Sequence, residues 1–219
     1  MRGFDIRGFD IYCFDGDSTL WKAEGIDLLA ELRGEAVAKE VRALTERAMG
    51  SSEAGRPPFE AIYQMRLEQI RPTLQEVLYV ADFIKCQRLT PCAKEAIAGL
   101  RERKKEVYLA TGGIEQMVEP LARELGITGW SAVPLIFGPD GNYKGIVETP
   151  MNKEKGKIEI IGRLRKKFPN RTIAFIGDGM TDKQTQPYVD CFIAYTGVIY
   201  RPEVVNGADL VLNSLDGLV

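Results

Sequence analysis

The sequence contains no histidine among its 219 residues. This absence excludes Ser-His-Asp and Cys-His catalysis, imidazole metal sites and imidazole proton shuttles. A bound metal would then need oxygen ligands, or scattered thiols, and oxygen ligation favours hard cations such as Mg²⁺. General acid–base chemistry falls to carboxylates, lysine or tyrosine.

Other absences limit the location and the partners of the protein. The four cysteines form no C-x-x-C pair, and two of them lie inside apolar runs, which favours buried reduced thiols. No apolar run approaches the roughly 20 residues that span a bilayer, and the first residues lack a cationic-then-apolar signal pattern. The net charge of −2, of mixed sign, gives no reason to expect nucleic acid or a membrane surface as partner. The sequence therefore predicts a cytoplasmic protein, and homodimerisation is left open.

The alternation of apolar and amphipathic segments predicts the fold. Apolar residues make up 45% of the chain, enough for a sizeable core. After residue 85, helical patterns alternate with short buried strands, which predicts an α/β protein with a doubly wound, mostly parallel sheet. The stretch before it carries helical patterns only. The predicted domains are an α/β core of residues 1–19 and 86–219 and an inserted helical cap of residues 20–85.

Two local signals refine this prediction. Thr90-Pro91 predicts a helix that is capped by the threonine and has proline at its first position. The apolar segments 133–137 and 143–147 flank a Gly-Pro-Asp-Gly-Asn turn, which predicts a β-hairpin.

Three predicted strands end in polar turns that contain glycine. The turns are Asp15-Gly16-Asp17, Thr111-Gly112-Gly113 and Gly177-Asp178-Gly179. Each alone is most often an ordinary turn, but parallel strands bring their carboxyl ends to one edge of the sheet. That edge would collect carboxylates that repel one another unless a cation is bound, and Mg²⁺ with oxygen ligands meets this need. The expected members are Asp15, Asp17, Asp178, Asp182 and the hydroxyl of Thr111.

An anion site is predicted beside these carboxylates. Thr111-Gly112-Gly113 precedes a predicted helix, whose backbone N–H groups and dipole suit an anion. Lys155 opens a further helix and could add a positive charge, although a solvated lysine beside Lys153 and Lys157 is the alternative. Carboxylates, a hard metal, an anion site and a lysine together indicate phosphoryl transfer through an acidic nucleophile.

These motifs resemble a known family in order and spacing. The two-aspartate turn, the Thr-Gly-Gly turn, Lys155 and the segment 177–182 are similar to the four motifs of the haloacid-dehalogenase-type phosphatases. Further segments resemble the phosphoserine phosphatases within that superfamily, and the likeness covers about residues 9–215. They are Glu24-Gly25-Ile26-Asp27, Arg47-Ala48-Met49-Gly50, Phe59, Arg66 and Leu89-Thr90-Pro91.

The resemblance implies a mechanism for the core residues. Asp15 would attack phosphorus and become an aspartyl phosphate, while Asp17 would protonate the departing oxygen and then activate water. Mg²⁺ would be held by the Asp15 carboxylate, the Asp17 carbonyl and Asp178, with Asp182 in support. The phosphoryl oxygens would be bound by Thr111, Gly112, Gly113 and Lys155, with Thr181 also at the substrate.

The resemblance also implies a substrate, O-phospho-L-serine. Glu24 would meet its ammonium group and Arg66 its carboxylate, with Met49, Gly50 and Phe59 as the pocket wall. Two alternatives remain open: another small phosphomonoester or an acceptor alcohol in the same chemistry, and a catalytically silent phosphoamino-acid binder. The sequence departs from the family at Gly16, where an aliphatic residue is usual, and this change could loosen the nucleophile.

Overall fold

The computed structural model describes residues 6–49 and 57–219, and for residues 46–49 only the backbone. A six-stranded parallel sheet has the order β3-β2-β1-β6-β7-β8, and a two-stranded antiparallel hairpin, β4-β5, lies apart from it. The strands are β1 (Ile11–Phe14), β2 (Glu106–Ile114), β3 (Gly129–Val133), β4 (Leu135–Phe137), β5 (Tyr143–Ile146), β6 (Ile173–Gly177), β7 (Cys191–Tyr195) and β8 (Leu210–Leu212). The predictions of a doubly wound parallel sheet and of a hairpin are confirmed.

Helices fill the connections between the strands. Four of them, α1 to α4, lie between β1 and α5, where the sequence predicts a helical segment. The helices are α1 (Gly25–Glu31), α2 (Glu35–Met49), α3 (Phe59–Ile70), α4 (Leu74–Gln87), α5 (Ala93–Glu102), α6 (Glu115–Glu124), α7 (Gly156–Lys167), α8 (Met180–Lys183) and α9 (Pro202–Val205). Within the described ranges, no helix combines the length and the hydrophobicity that crossing a bilayer requires.

Strand β1 is the centre of the sheet and of the topology. All four of its residues are buried, as expected for a strand that has neighbours on both edges and helices on both faces. The chain adds β2 and β3 on one side of β1 and then returns to add β6, β7 and β8 on the other. The carboxyl end of β1 is therefore the switch point where open α/β sheets bind ligands.

Three local predictions need correction. The predicted strand 133–137 is the end of β3 and the whole of β4, because Pro134, which has no N–H for a ladder, separates them. Helix α5 begins at Ala93 after Cys92 in a left-handed conformation with φ of 62°. Thr90, the predicted cap, instead donates its hydroxyl to the Thr19 carbonyl at 2.8 Å. This bond ties the loop after β1 to the segment that precedes α5.

Candidate active site

The carboxyl end of β1 places two aspartates at the switch point. Asp15 follows the strand directly, and its backbone N–H donates to the Ile176 carbonyl of β6 at 2.9 Å. Asp17 lies two residues further on, and both carboxylates line one cavity. The backbone turns sharply after Asp17, with Ser18 in a left-handed conformation at φ of 55°. Because of this turn, the residues that follow Ser18 come back to lie beside Asp17.

The structure brings three carboxylates to this edge, as the strand-end motifs predict. One oxygen from each of Asp15, Asp178 and Asp182 lies within 4.8 Å of the other two, and all three residues are buried. Asp178 follows β6, and burial, with the Asp15 charge second, raises its pKa to about 6. Such a cluster of hard oxygen donors fits a divalent cation such as Mg²⁺.

Lys157, and not Lys155, contacts this cluster. Its Nζ lies 2.9 Å from Asp15 Oδ1 and also donates to Asp182 Oδ1. Burial alone would lower the pKa of Lys157, but the two carboxylates outweigh it and raise that pKa. Lys155 lines a separate groove with Ile158 and Tyr188, so its predicted place at the phosphoryl group is corrected.

Helical phase explains this difference. Helix α7 begins at Gly156, with Lys155 as the residue before it. Two positions rotate a side chain by about 200° around a helix axis, so Lys155 and Lys157 face different sides. A lysine recurs at every second position from Lys153 to Lys157, and the sequence alone does not say which one faces inward.

Thr111 and Gly112 line the cavity, but the predicted turn after Thr111 is wrong. Strand β2 continues through both glycines to Ile114, and its pairing with β3 is irregular between Ala110 and Ile114. The Gly113 N–H donates to Thr111 Oγ1 at 3.1 Å, which fixes the threonine hydroxyl. Thr111 and Gly112 are therefore the two members of this motif that face the cavity.

Asp17 is held by two N–H groups. Trp21 Nε1 donates to Asp17 Oδ1 at 2.7 Å, and the Gly25 N–H donates to the same oxygen at 3.1 Å. Burial nevertheless raises the pKa of Asp17 to about 6, against the lowering effect of the Trp21 hydrogen bond. A carboxyl group with such a pKa exchanges a proton near neutral pH, as a general acid and base must.

Glu24 lies in the same cavity, at the residue that precedes α1. The Ser18 hydroxyl donates to Glu24 Oε1 at 2.8 Å. Burial raises the pKa of Glu24 to about 8, and the charge of Asp17 adds to this effect. A cationic group bound here would relieve both effects, since an opposite charge favours the ionised carboxylate.

One face of α3 forms the opposite wall. Phe59, Ile62, Tyr63 and Arg66, which follow the helical spacing of three and four residues, all line the cavity. Arg66 forms a mostly buried ion pair with Asp27 of α1 at 3.1 Å. The Tyr63 hydroxyl and Arg66 Nε are buried and have no hydrogen-bond partner among the described residues. Both are donors, so this wall can receive an acceptor group.

The remaining predicted residues fall outside this set. Gly50 lies outside the described residues, and so does the side chain of Met49. Thr181 is part of α8 and is not among the described residues that line the cavity, whereas Gly179 is. Sequence reasoning missed Arg201, whose Nε donates to Asp178 Oδ2 at 3.2 Å. The only local signal for it is an arginine in the loop after a buried strand.

The fold and the site define a class of enzyme. A parallel sheet carries buried carboxylates, a buried lysine and a glycine-containing strand end at its switch point. The family described as haloacid dehalogenase-like hydrolase matches residues 13–185, which include the buried carboxylates, the lysine and the glycine-containing strand end. The class is that of the haloacid dehalogenase-like hydrolases, the superfamily that the sequence motifs resemble.

The relatives of this chain narrow the class. The phosphoserine phosphatase of Homo sapiens is 38% identical over 203 residues, which cover 91% of this chain and 87% of the human protein. A chloroplastic phosphoserine phosphatase of Arabidopsis thaliana is 37% identical over 97% of this chain and 72% of its own length. A solved phospho-aspartyl intermediate analogue of phosphoserine phosphatase superposes with a TM-score of 0.78 at 26% identity and covers 94% of both chains. This chain belongs to the haloacid dehalogenase-like hydrolases, within their phosphoserine phosphatase family.

Proposed function

We propose that this protein hydrolyses O-phospho-L-serine to L-serine and phosphate through an aspartyl phosphate at Asp15, the last step of serine biosynthesis. The observation that carries the proposal is the cavity itself, which holds core carboxylates on one side and the Glu24 and Arg66 side chains on the other. The three ionic groups of phosphoserine are one phosphate, one ammonium and one carboxylate. Each finds a residue of suitable charge in this cavity.

The phosphoryl group would lie at the core side. Asp15 would attack phosphorus while the bond to the serine oxygen breaks, and Asp17 would donate a proton to that oxygen. Lys157, Thr111 and Gly112 would bind the phosphoryl oxygens, where the transition-state charge is spread. Asp17 would then take a proton from the water that hydrolyses the aspartyl phosphate.

Asp15, the Asp17 carbonyl and Asp178 would hold Mg²⁺, which, when bound, neutralises charge on the phosphoryl oxygens. Asp182 supports this site through Lys157, which it binds together with Asp15. Arg201 restrains Asp178 through an ion pair at 3.2 Å. Asp15 and Asp178, two of the three buried aspartates that lie together, would supply the carboxylate oxygens that such an ion prefers.

The amino-acid part of the substrate would lie against α1 and α3. Its ammonium group would ionise Glu24 and pair with it, and its carboxylate would accept hydrogen bonds from Arg66 Nε and the Tyr63 hydroxyl. Both donors are buried without a described partner, so an acceptor there would satisfy them. Phe59 and Ile62 would exclude water from this side of the pocket.

Three further expectations complete the proposal. Residues 20–85 would act as a cap domain over the core formed by residues 1–19 and 86–219. The protein would be cytoplasmic, in keeping with four unpaired cysteines, all of which lie in the described ranges. Homodimer formation stays a prediction that a measurement of molar mass in solution would test.

Phosphate release from a panel of phosphomonoesters tests the function. With Mg²⁺ present, phosphoserine should be hydrolysed with a higher kcat/KM than sugar phosphates, and a chelator should abolish the activity. Arg66→Ala should reduce kcat/KM for phosphoserine by about tenfold or more and leave that for phosphoethanolamine, which lacks a carboxylate, little changed. Equal rates on phosphoserine and sugar phosphates would refute the substrate, and full activity in chelator would refute the mechanism.

A further inference from the structure

The structure explains why residue 16 is glycine, which the sequence alone does not. A Cβ built on Gly16 would lie 2.4 Å from Cζ2 and 2.5 Å from Cη2 of Trp21, far inside van der Waals contact. Trp21 is 1% exposed, so its ring is enclosed by the surrounding structure. The glycine that separates the two aspartates therefore makes room for an indole ring.

The turn after β1 delivers that ring to Asp17. The N–H groups of Leu20 and Trp21 both donate to the Gly16 carbonyl, at 2.9 Å and 3.2 Å. This tight turn brings Trp21 back beside the two-aspartate motif, where its Nε1 donates to Asp17 Oδ1 at 2.7 Å. The short distance is typical of a hydrogen bond to a charged or strongly polar acceptor.

The two N–H donors make the two carboxylate oxygens of Asp17 inequivalent, because both bind the same oxygen. Trp21 Nε1 and the Gly25 N–H both bind Oδ1, which faces two N–H groups and cannot carry a proton there without loss of a hydrogen bond. The proton of the neutral carboxyl group therefore belongs on Oδ2. The same two bonds fix the plane of the carboxyl group, so Oδ2 has a defined direction.

We propose that Trp21 is a positioning residue that orients Asp17 for proton transfer through Oδ2, and that Gly16 is glycine to admit its ring. This inference rests on the proposed function. As the bond from Asp15 to phosphorus forms and the bond from phosphorus to the serine oxygen breaks, the proton on Oδ2 passes to that oxygen. Trp21 is not among the described residues that line the cavity, so the indole acts on the reaction through Asp17.

Substrates with different leaving groups distinguish a positioning role of Trp21 from a purely structural one. The serine alkoxide needs a proton to depart, whereas p-nitrophenolate departs without one. The quantity to compare is kcat/KM, because it reports only the steps up to formation of the aspartyl phosphate. Trp21→Phe removes the N–H donor and keeps an aromatic ring. The chain's other tryptophan, Trp130 of β3, allows a matched control, Trp130→Phe.

Trp21→Phe should lower kcat/KM for phosphoserine by about tenfold or more, the effect of one lost hydrogen bond to a charged group. The value for p-nitrophenyl phosphate should stay close to that of the wild type, and Trp130→Phe should change neither. Equal losses on both substrates, or no loss on either, would overturn the positioning role. If the wild type hydrolyses a different alkyl phosphate and not phosphoserine, the proposed function fails, and the same comparison with that alkyl phosphate still decides the role of Trp21.

A second set of variants tests whether Gly16 is glycine because it makes room for the Trp21 ring. Gly16→Ala should displace the ring and cause the same loss on the alkyl phosphate, although its Cβ would also lie 3.1 Å from Thr111 Oγ1. In a Trp21→Val background, Gly16→Ala should have little further effect, because the clashing ring is gone. Additive losses in this double-mutant cycle would contradict the claim that Gly16 accommodates Trp21.

Discussion

Lys155 and Lys157 are two positions apart, and only Lys157 contacts the carboxylates of the site. Lys157→Ala should lower kcat for phosphoserine by about 10²- to 10³-fold, the usual cost of one preorganised charge at a reacting group. Lys155→Ala should leave kcat nearly unchanged and serves as the matched control. Steady-state phosphate release, with circular dichroism to verify folding, measures both. A large loss in Lys155→Ala alone would contradict the assignment.

These residues also show what the sequence can and cannot predict. Asp15, Asp17 and Asp178 were predictable because each follows a short buried strand, and parallel strands end at one edge. The sequence motif points to Lys155 and the structure to Lys157, because the start of α7, and so the phase of its face, depends on packing. Trp21, Tyr63 and Arg201 were missed because their roles depend on contacts that no local pattern encodes.

At the scale of elements, contacts between residues at the helix ends hold α1, α3 and α4 together. Thr73 and Glu76 form a capping box at the start of α4, and Arg33 binds both oxygens of Glu76. Arg33 Nε also donates to the Ile70 carbonyl at 2.8 Å. One arginine therefore joins the end of α1 to the junction of α3 and α4.

The ion pair between Arg33 and Glu76 at this junction should make the free energy of unfolding depend on pH. The Arg33 hydrogen bonds lower the pKa of Glu76 to about 2, against 4.5 for an unperturbed glutamate. A lowered folded-state pKa stabilises the fold fully above about pH 4.5, and this contribution is lost as the pH falls toward about 2. Glu76→Gln should therefore lower the free energy of unfolding by about 1 kcal/mol at pH 7, with a difference that shrinks in acid. Urea unfolding across this range checks it, and a difference that grows in acid would contradict it.

The wall formed by α3 yields another prediction. Tyr63→Phe removes a buried donor from the cavity and should raise KM for phosphoserine by about tenfold, with little change for phosphoethanolamine. Tyr143→Phe is the matched control, because its hydroxyl is also buried without a described partner but belongs to β5. An equal rise in KM for both substrates, or for both variants, would argue against a contact between Tyr63 and the substrate carboxylate.

At the scale of the whole molecule, the topology concentrates negative charge at one point of the sheet. Helix α7 brings the buried cation of Lys157 to the carboxylates that β1 and β6 deliver, and Arg201 adds a second. The acidic groups at this point, which are Asp15, Asp17, Asp178, Asp182 and Glu24, outnumber these two cations. We expect the negative charge that remains to favour the binding of a divalent metal ion and of the substrate's ammonium group.

Metal binding should therefore stabilise the whole fold. Mg²⁺ should raise the Tm of the wild type by mass action, and a chelator should reverse this rise. Asp178→Asn should remove most of the effect, whereas Asp82→Asn, a change at an exposed position of α4, should retain it. Differential scanning calorimetry measures the three proteins side by side. A Tm of Asp178→Asn that responds to Mg²⁺ as the wild type does would place the ion elsewhere.

The most direct test of the central claim is to locate the phosphoryl group during turnover. Acid quench of the wild type in the presence of Mg²⁺ and phosphoserine, followed by peptide mass spectrometry, should show one phosphoryl group on Asp15. Asp15→Asn, with its fold intact, should show none and should release no phosphate. Phosphate release without a phosphoryl group on Asp15, or with one trapped on another residue, would contradict the account.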